Sequence, residues 1–325
     1  GTGWATDSTD QEWWNNTCER TGRSGLQIRT LHNADPRKLV TRIHHNVVAD
    51  FMLQDFDGGA FYVYGLDGAF TRIDHNVFRK ERTDGLSFGA YWDYAKNYVF
   101  DHNVIDGPNR AIQVTCQYPA PKTCEGGTTN LLVYNNTALG AGAWGRSIDG
   151  AFDARSLVLN NVFSVHVFAD PKGTTVNHWP RYGAATTVRN LVFGHEPAGY
   201  SAPDARWKDD VLVDDARFVD RRGGNFRLTS SSPAKDSGAI VPAVTLDGIA
   251  VPSFPDPLVG PPDQGAFEHG TPPWTAGAQG DVGAPPAQAR ENDGGCSCGL
   301  GRRHSPGGAL ALLAMLLATR RRRLS

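Results

Sequence analysis

Short alternating segments carry most of the side chains that could do chemistry. Gly25-Leu26-Gln27-Ile28-Arg29, Ala60-Phe61-Tyr62-Val63-Tyr64, Gly85-Leu86-Ser87-Phe88 and Ala111-Ile112-Gln113-Val114 place apolar residues at every second position, and Arg146-Ser147-Ile148-Asp149 is a fainter copy. A period of two marks half-buried strands. If Leu26, Ile28, Phe61, Val63, Leu86, Phe88, Ile112, Val114 and Ile148 face inward, then Gln27, Tyr62, Ser87, Gln113 and Asp149 form one outward column. Arg29, Tyr64, Gly89 and Thr115 form a second beside it. The loop after the third segment adds Tyr91, Trp92, Asp93, Tyr94 and Lys96. Aromatic faces stack on pyranose rings and polar groups read sugar hydroxyls. Aromatics beside carboxylates and an Arg therefore suit a polysaccharide-binding groove. They equally suit packing against loops, and both readings stand at this point.

Two further columns carry chemistry. His45, His75 and His102 share one position of a repeat that becomes Asn135 and Asn160 further on. Imidazoles stacked about 4.8 Å apart could hold a metal or act as a base. The change to Asn favours a polar stack beside a turn. Asp57-Gly58, Asp84-Gly85 and Asp106-Gly107 mark tight turns. Their carboxylates, Asp57 and Asp84 first, are candidate Ca²⁺ ligands. His32, His166, His178 and His195 fall in loops and carry no reading. The sequence has no nucleophile elbow, P-loop, zincin helix or dinucleotide fingerprint. Function must come from the geometry of a stack.

The elements that position these residues follow from a repeat. Ile43-His44-His45-Asn46-Val47, Ile73-Asp74-His75-Asn76-Val77, Phe100-Asp101-His102-Asn103-Val104, Val133-Tyr134-Asn135-Asn136-Thr137 and Val158-Leu159-Asn160-Asn161-Val162 share one pattern. Its fixed Asn recurs at spacings of 30, 27, 33 and 25 residues. Trp13-Trp14-Asn15-Asn16-Thr17 and Val188-Arg189-Asn190-Leu191 are weaker copies. A coil of this length with short strands and no helix is one rung of a parallel β-helix. The recurrent Asn is expected in the left-handed region at a sharp turn, where Asn is tolerated. Its amide would bond the backbone or the Asn of the next rung.

On that Asn column, residues 13–195 resemble the right-handed parallel β-helix superfamily that includes pectate-lyase-like proteins. The resemblance implies an all-β, single-stranded right-handed parallel β-helix over residues 1–200. It also implies β-elimination of a uronate or glycoside hydrolysis as the chemistry. Elimination needs a base and a cation on the carboxylate: Arg29 or Lys96 as base, Asp93 or Asp84 as Ca²⁺ ligand. Hydrolysis needs two carboxylates about 5–5.5 or 6.5–9.5 Å apart, here Asp93 and Asp149. A non-catalytic spacer or adhesin is the alternative, since the fold hosts many functions. Convergence of acids and bases on one groove separates the two.

The rhythm stops near Pro197. Asn225-Phe226-Arg227-Leu228, Ser232 to Gly238 and Asp263 to Glu268 resemble the closing segment that follows bacterial surface β-helices. Residues 201–269 are expected to form an irregular coil and cap, with Phe226, Leu228 and Phe267 over the open end. Residues 270–295, rich in Pro, Gly and Ala, read as a flexible linker. In residues 296–325, Cys296-Ser297-Cys298, an apolar run from Gly307 to Thr319 and Arg320 to Arg323 resemble the MYXO-CTERM tail of myxobacterial surface proteins. The resemblance implies export, recognition by envelope sorting machinery and a place at the cell surface. In an exported chain Cys116 and Cys124 are expected to form a disulfide.

Charge excludes one partner. The last 30 residues carry six Arg and no acid, so the remainder holds 26 basic against 34 acidic residues. Phosphate binding needs Lys and Arg gathered on one face, which argues against nucleic acid. The chain is expected to act as a monomer.

Overall fold

Each apolar-x-x-Asn segment forms a corner between two strands. The computed structural model describes residues 4–6, 12–28, 42–55, 57–80, 87–115, 129–140, 146–150, 152–169, 175–178, 180–181, 183–194, 210–246, 248–253, 257–278 and 298–299. These residues are all β or irregular, and successive rungs give one strand to each of three parallel sheets. Sheet 1 contains Trp4–Thr6, Leu26–Ile28, Gly59–Tyr64, Phe88–Asp93, Arg110–Thr115 and Arg146–Gly150. Sheet 2 runs from Glu12–Trp14 through Arg42–His44, Asp67–Asp74, Lys96–Asp101, Thr129–Tyr134 and Leu157–Leu159 to Thr186–Val188. Sheet 3 runs from Thr17–Glu19 through Val47–Ala49, Val77–Arg79, Val104–Asp106, Thr137–Leu139, Val162–Ser164 and Leu191–Phe193 to Val211–Val213. The protein is a parallel β-solenoid.

Every rung sends one or two apolar side chains from each sheet to a common interior. Leu26, Phe61, Trp92, Ile112 and Ile148 come from sheet 1. Ile43, Ile73, Phe100, Val133 and Val158 come from sheet 2, and Cys18, Val48, Phe78, Ile105, Phe163 and Val192 from sheet 3. Full burial of one such aliphatic or Phe side chain stabilises by about 1.5–3 kcal/mol.

The corners differ from expectation by one residue. The left-handed position is the residue before the fixed Asn: Asn15, His45, His75, His102, Asn135, Asn160 and Arg189 all have φ between 48° and 55°. That residue turns the chain, which frees the next one to bury its side chain. Asn46, Asn76, Asn103, Asn136, Asn161 and Asn190 are fully buried. Each donates its main-chain N–H and its Nδ2 to the Oδ1 of the next rung, for example Asn46 to Asn76 at 3.0 and 2.9 Å. The Nδ2 groups also donate to main-chain carbonyls, Asn46 to Trp13 and His44. The ladder begins at Asn16 and ends where Asn190 donates twice to Asp210 Oδ1 at 3.0 Å.

The C-terminal region does more than close one end. Phe226 and Leu228 do pack with Phe193 and Phe218 beside the last rung. From Ala234 the chain then turns back along the side of the solenoid. Its main chain meets Asn160 (Gly265 N to O, 2.7 Å), then His45 (Gly277 N to O, 2.7 Å). It reaches the first rung where Ala278 N donates to Thr17 Oγ1 at 3.0 Å. The physical reason is the outer surface of sheet 3, which is apolar at Val77, Val104, Leu139, Val162 and Leu191 and needs a cover. Ala266, Phe267, Trp274 and Ala276 supply it. The expected linker therefore starts later than residue 270, since Trp274 donates to Ala266 O at 2.8 Å and Ala276 is buried. Gly265 (φ +96°) and Gly277 (φ +81°) let this strap pass close to the corners. A hairpin of Val244–Leu246 and Ile249–Val251 likewise packs on Phe70, Val99, Leu132 and Leu159 outside sheet 2.

Candidate functional site: the outer face of sheet 1

Described residues of the C-terminal segment cover sheets 2 and 3. Sheet 1 presents the polar and aromatic columns. Its register aligns Gln27, Tyr62, Tyr91, Gln113 and Asp149 in one row, and Tyr64, Asp93 and Thr115 in the next. Tyr91 thus takes the place expected for Ser87. Alternation anchored on Gly85 sets the register four residues too early, because the strand starts at Phe88 and continues to Asp93. The same shift turns Trp92 inward between Val63 and Val114. It is fully buried against Phe61 (5.5 Å between centroids) and Phe100 (4.9 Å, edge-on), so it is no platform for a sugar. Ser87 is buried and hydrogen-bonded to Asn109.

Two polar groups form on this face. The first centres on Asp93. Thr115 donates to its Oδ1 at 2.6 Å and the Tyr62 hydroxyl reaches its Oδ2 at 3.4 Å. Thr115 Oγ1 also lies 3.3 Å from the Tyr91 hydroxyl. Tyr62, Tyr91 and Phe88 pack together, with Phe88 and Tyr91 centroids 4.7 Å apart. Burial pushes the Asp93 carboxyl above the usual Asp range, and the Asp57 charge adds to the shift. Burial also raises the Tyr62 hydroxyl strongly and pushes Tyr91 up to about 12, so both remain donors at neutral pH. Tyr64 stands directly opposite Asp93 and is 52% exposed, the one exposed aromatic side chain among the described residues.

The second group centres on Arg110. It lies 3.3 Å from Asp149, donates to Gln113 Oε1 and sits over the Phe88 ring at 5.9 Å. Asp93 and Asp149 are two strands and two register positions apart. At about 4.8 Å per strand and 3.3 Å per residue their backbones are roughly 12 Å apart. Their carboxylates are held by different side chains, Asp93 by Thr115 and Tyr62 and Asp149 by Arg110. The second carboxylate that Asp93 feels is Asp57, which is bound to Arg23 at 3.5 Å. Sequence reasoning placed Asp57 in a calcium site, and nothing in the local sequence ties it to Asp93 thirty-six residues on.

The other candidates separate. Lys96 lies round the corner in sheet 2, paired with Asp67 at 3.2 Å, and is exposed. Burial raises the Asp106 carboxyl, with Arg79 and Arg221 nearby to oppose the shift. Arg29, Asp84, Cys116, Cys124 and Cys296 lie outside the described residues. The main chain of Cys298 pairs with Cys18, whose side chain is buried in the core. Among the described residues no group of three or more His, Cys, Asp or Glu side chains could hold a metal.

The His column is a stack of parallel rings, at 4.9 Å for His45 and His75 and 5.0 Å for His75 and His102. Beside it runs an ionic ladder that the sequence reading missed. Arg42 grips Asp74 with two bonds, and Arg72 grips Asp101 the same way. Each Asp also meets the following His at Nδ1, 2.8 Å away. The repeated Arg-Ile-x-His at 42–45 and 72–75 and the Asp-His pairs at 74–75 and 101–102 were its signal. A cavity of about 160 Å³ opens between His102, Asn135, Asn160 and the strap residues Ile240, Leu258 and Glu268.

No family model matches the chain, and no curated protein matches it. The described residues define the class: a parallel β-solenoid whose C-terminal segment packs on the outer faces of sheets 2 and 3, while in the outward rows of sheet 1 Tyr62, Tyr91 and Gln113 are buried and Tyr64 is exposed.

Proposed function

We propose that this protein binds polysaccharide along the outer face of sheet 1. One observation carries the reading. The chain covers the outer faces of sheets 2 and 3 with its own C-terminal segment, while sheet 1 keeps an exposed Tyr64 opposite a half-buried Asp93. An aromatic face beside a carboxyl, hydroxyls and an amide is the equipment for a pyranose ring. Should the bound glycan be cleaved, Asp93 is the residue to test as general acid, because burial shifts its carboxyl in the direction that role needs. By its tail, residues 296–325, the protein belongs at the cell surface.

A second reading, a non-catalytic spacer or adhesin, is favoured by the internal pairing of this face. Asp149 and Gln113 go to Arg110, and Asp57 goes to Arg23. Titration of the purified protein with neutral and uronate-containing glycans, with and without Ca²⁺, distinguishes the two. Binding to at least one glycan is expected, weakened by about 1–2 kcal/mol in Tyr64→Ala, a modest cost for an aromatic anchor. Loss of turnover with retained binding in Asp93→Asn would establish catalysis. A well-folded protein that binds none of them is a spacer.

A further inference from the structure

The three stacked histidines sit under the returning strap, and they are not needed for the turn they occupy. Asn135 and Asn160 hold the same corner with the same backbone, at φ 52° and 54° against 52° to 55° for the histidines. At those Asn rungs the side chains bond the strap directly. Asn135 Nδ2 donates to Asp263 O at 3.2 Å, and Asn160 exchanges two bonds with Ala239 at 2.6 and 2.7 Å. Gln264 and Gly238 bond Arg189 one rung further. Over the His rungs the attachment is different. Trp274 lies at right angles to His45 and His75, with centroids 6.0 and 5.1 Å away, and stacks on Phe267 at 4.7 Å. Gly277 bonds the His45 carbonyl.

The charged groups around the stack have little left to give a further cation. Asp74 and Asp101 already face His75 and His102, and each is held by Arg42 or Arg72. His45 meets the Nδ1 of His44 at 2.8 Å, and His44 in turn meets Glu12 at 3.0 Å. Tyr134 lies edge-on to His102. The strap brings Glu268 to the cavity beside His102. Both its oxygens accept main-chain N–H groups, from Val259 and Asp263. Asp263 accepts from Asp236 and His269. Protonating neighbouring rings about 5 Å apart would set like charges face to face under an apolar cover.

We propose that the His45 end of this stack is an acid-sensitive latch: a neutral His45 holds residues 267–278 closed, and its protonation, between His75 and Trp274, lifts this half of the strap while the half on Asn135, Asn160 and Arg189 stays. The direction follows from linkage. Burial, then the His75 and His44 charges, lower His45 from 6.5 to about 4. A histidine kept neutral by the closed form contributes its full stability above about pH 6.5 and loses it as pH falls towards 4. Release would bare the apolar outer surface of sheet 3 at Val47, Val77 and Val104.

Hydrogen exchange of the full chain, read by mass spectrometry across this pH range and corrected for intrinsic rates, tests the latch. Protection of the Gly277 and Ala278 amides should drop at least tenfold between pH 6.5 and 4, while Gly265 keeps its own. The variant carrying His45→Asn and His75→Asn retains a side chain that this corner accepts, and should lose that pH step. Protection at Gly277 unchanged down to pH 4 overturns the proposal. So does an identical pH step in the double variant, which would assign the release to groups other than these two histidines; Asp263 and Glu268, both raised by burial, take up protons in favour of the closed strap.

Discussion

Replacing Asn103 by Ala tests how the rungs are joined. The Asn103 side chain makes five hydrogen bonds in a site without solvent access. Its Oδ1 accepts the Asn76 main-chain N–H and the Asn76 Nδ2, both at 3.0 Å. Its Nδ2 donates to the carbonyls of Ile73 and Asp101 at 2.9 Å and to Asn136 Oδ1 at 3.0 Å. Alanine deletes all five and strands the Asn76 main-chain N–H. An orphaned buried donor costs about 1–3 kcal/mol, and each other lost bond about 0.5–1.5. Nδ2 of Asn76 keeps two other acceptors, so the expected total is about 3–5 kcal/mol. That is a large part of the 5–15 kcal/mol typical of a domain. Guanidinium unfolding followed by far-ultraviolet circular dichroism measures it. Asn103→Asp should be worse at neutral pH, because an anion would replace the donor that faces three acceptors, and should partly recover in acid. A cost under about 1 kcal/mol for Asn103→Ala would refute the view that the ladder ties the rungs together.

Trp92→Ala should cost about 3–5 kcal/mol in thermal or denaturant unfolding, the usual range for a buried Trp, while leaving glycan affinity per folded molecule unchanged. A folded variant that loses binding alone would return Trp92 to the sugar site. Asp93→Asn should stabilise the protein at pH 7, by an amount that shrinks as pH falls through the raised native-state pKa and vanishes below the ordinary Asp value of about 3.9. The sign follows from the raised pKa, since burial penalises the Asp93 carboxylate and not the carboxylic acid. Unfolding of both proteins at pH 7 and pH 4 checks it, and a destabilised Asp93→Asn at pH 7 would refute it.

The repeat was legible because every rung needs the same buried amide, so Asn46, Asn76, Asn103, Asn136 and Asn161 are written into the chain at one position. The residue that takes the left-handed turn was harder to assign, because His, Asn and Arg all occupy it and share no chemistry. Sheet 1 misled at one rung. Its fourth strand, Phe88–Asp93, is six residues long, and the Asp84-Gly85 start signal points to a register four residues away from the one that pairs with Tyr62. The strap left no pattern to read, since a segment that crosses rungs meets a new neighbour at each step. Its Trp274 and Phe267 are isolated in a stretch rich in Pro and Gly. The pairing of Asp93 with Asp57 rather than Asp149 depends on the same register and was lost with it.

The asparagine ladder also has a direction. Every amide in it donates towards the C-terminal rungs and accepts from the N-terminal side, so the side-chain dipoles from Asn16 to Asn190 point the same way. Aligned dipoles sum, as peptide dipoles do in an α-helix, and leave partial positive charge on the last donors. The two hydrogens that Asn190 presents there meet a carboxylate, Asp210, in place of another amide. A solenoid whose described residues include no helix thus carries a helix-like axial field with a carboxylate at its positive end. Adding or removing a rung would change the length of that field and leave its terminus intact.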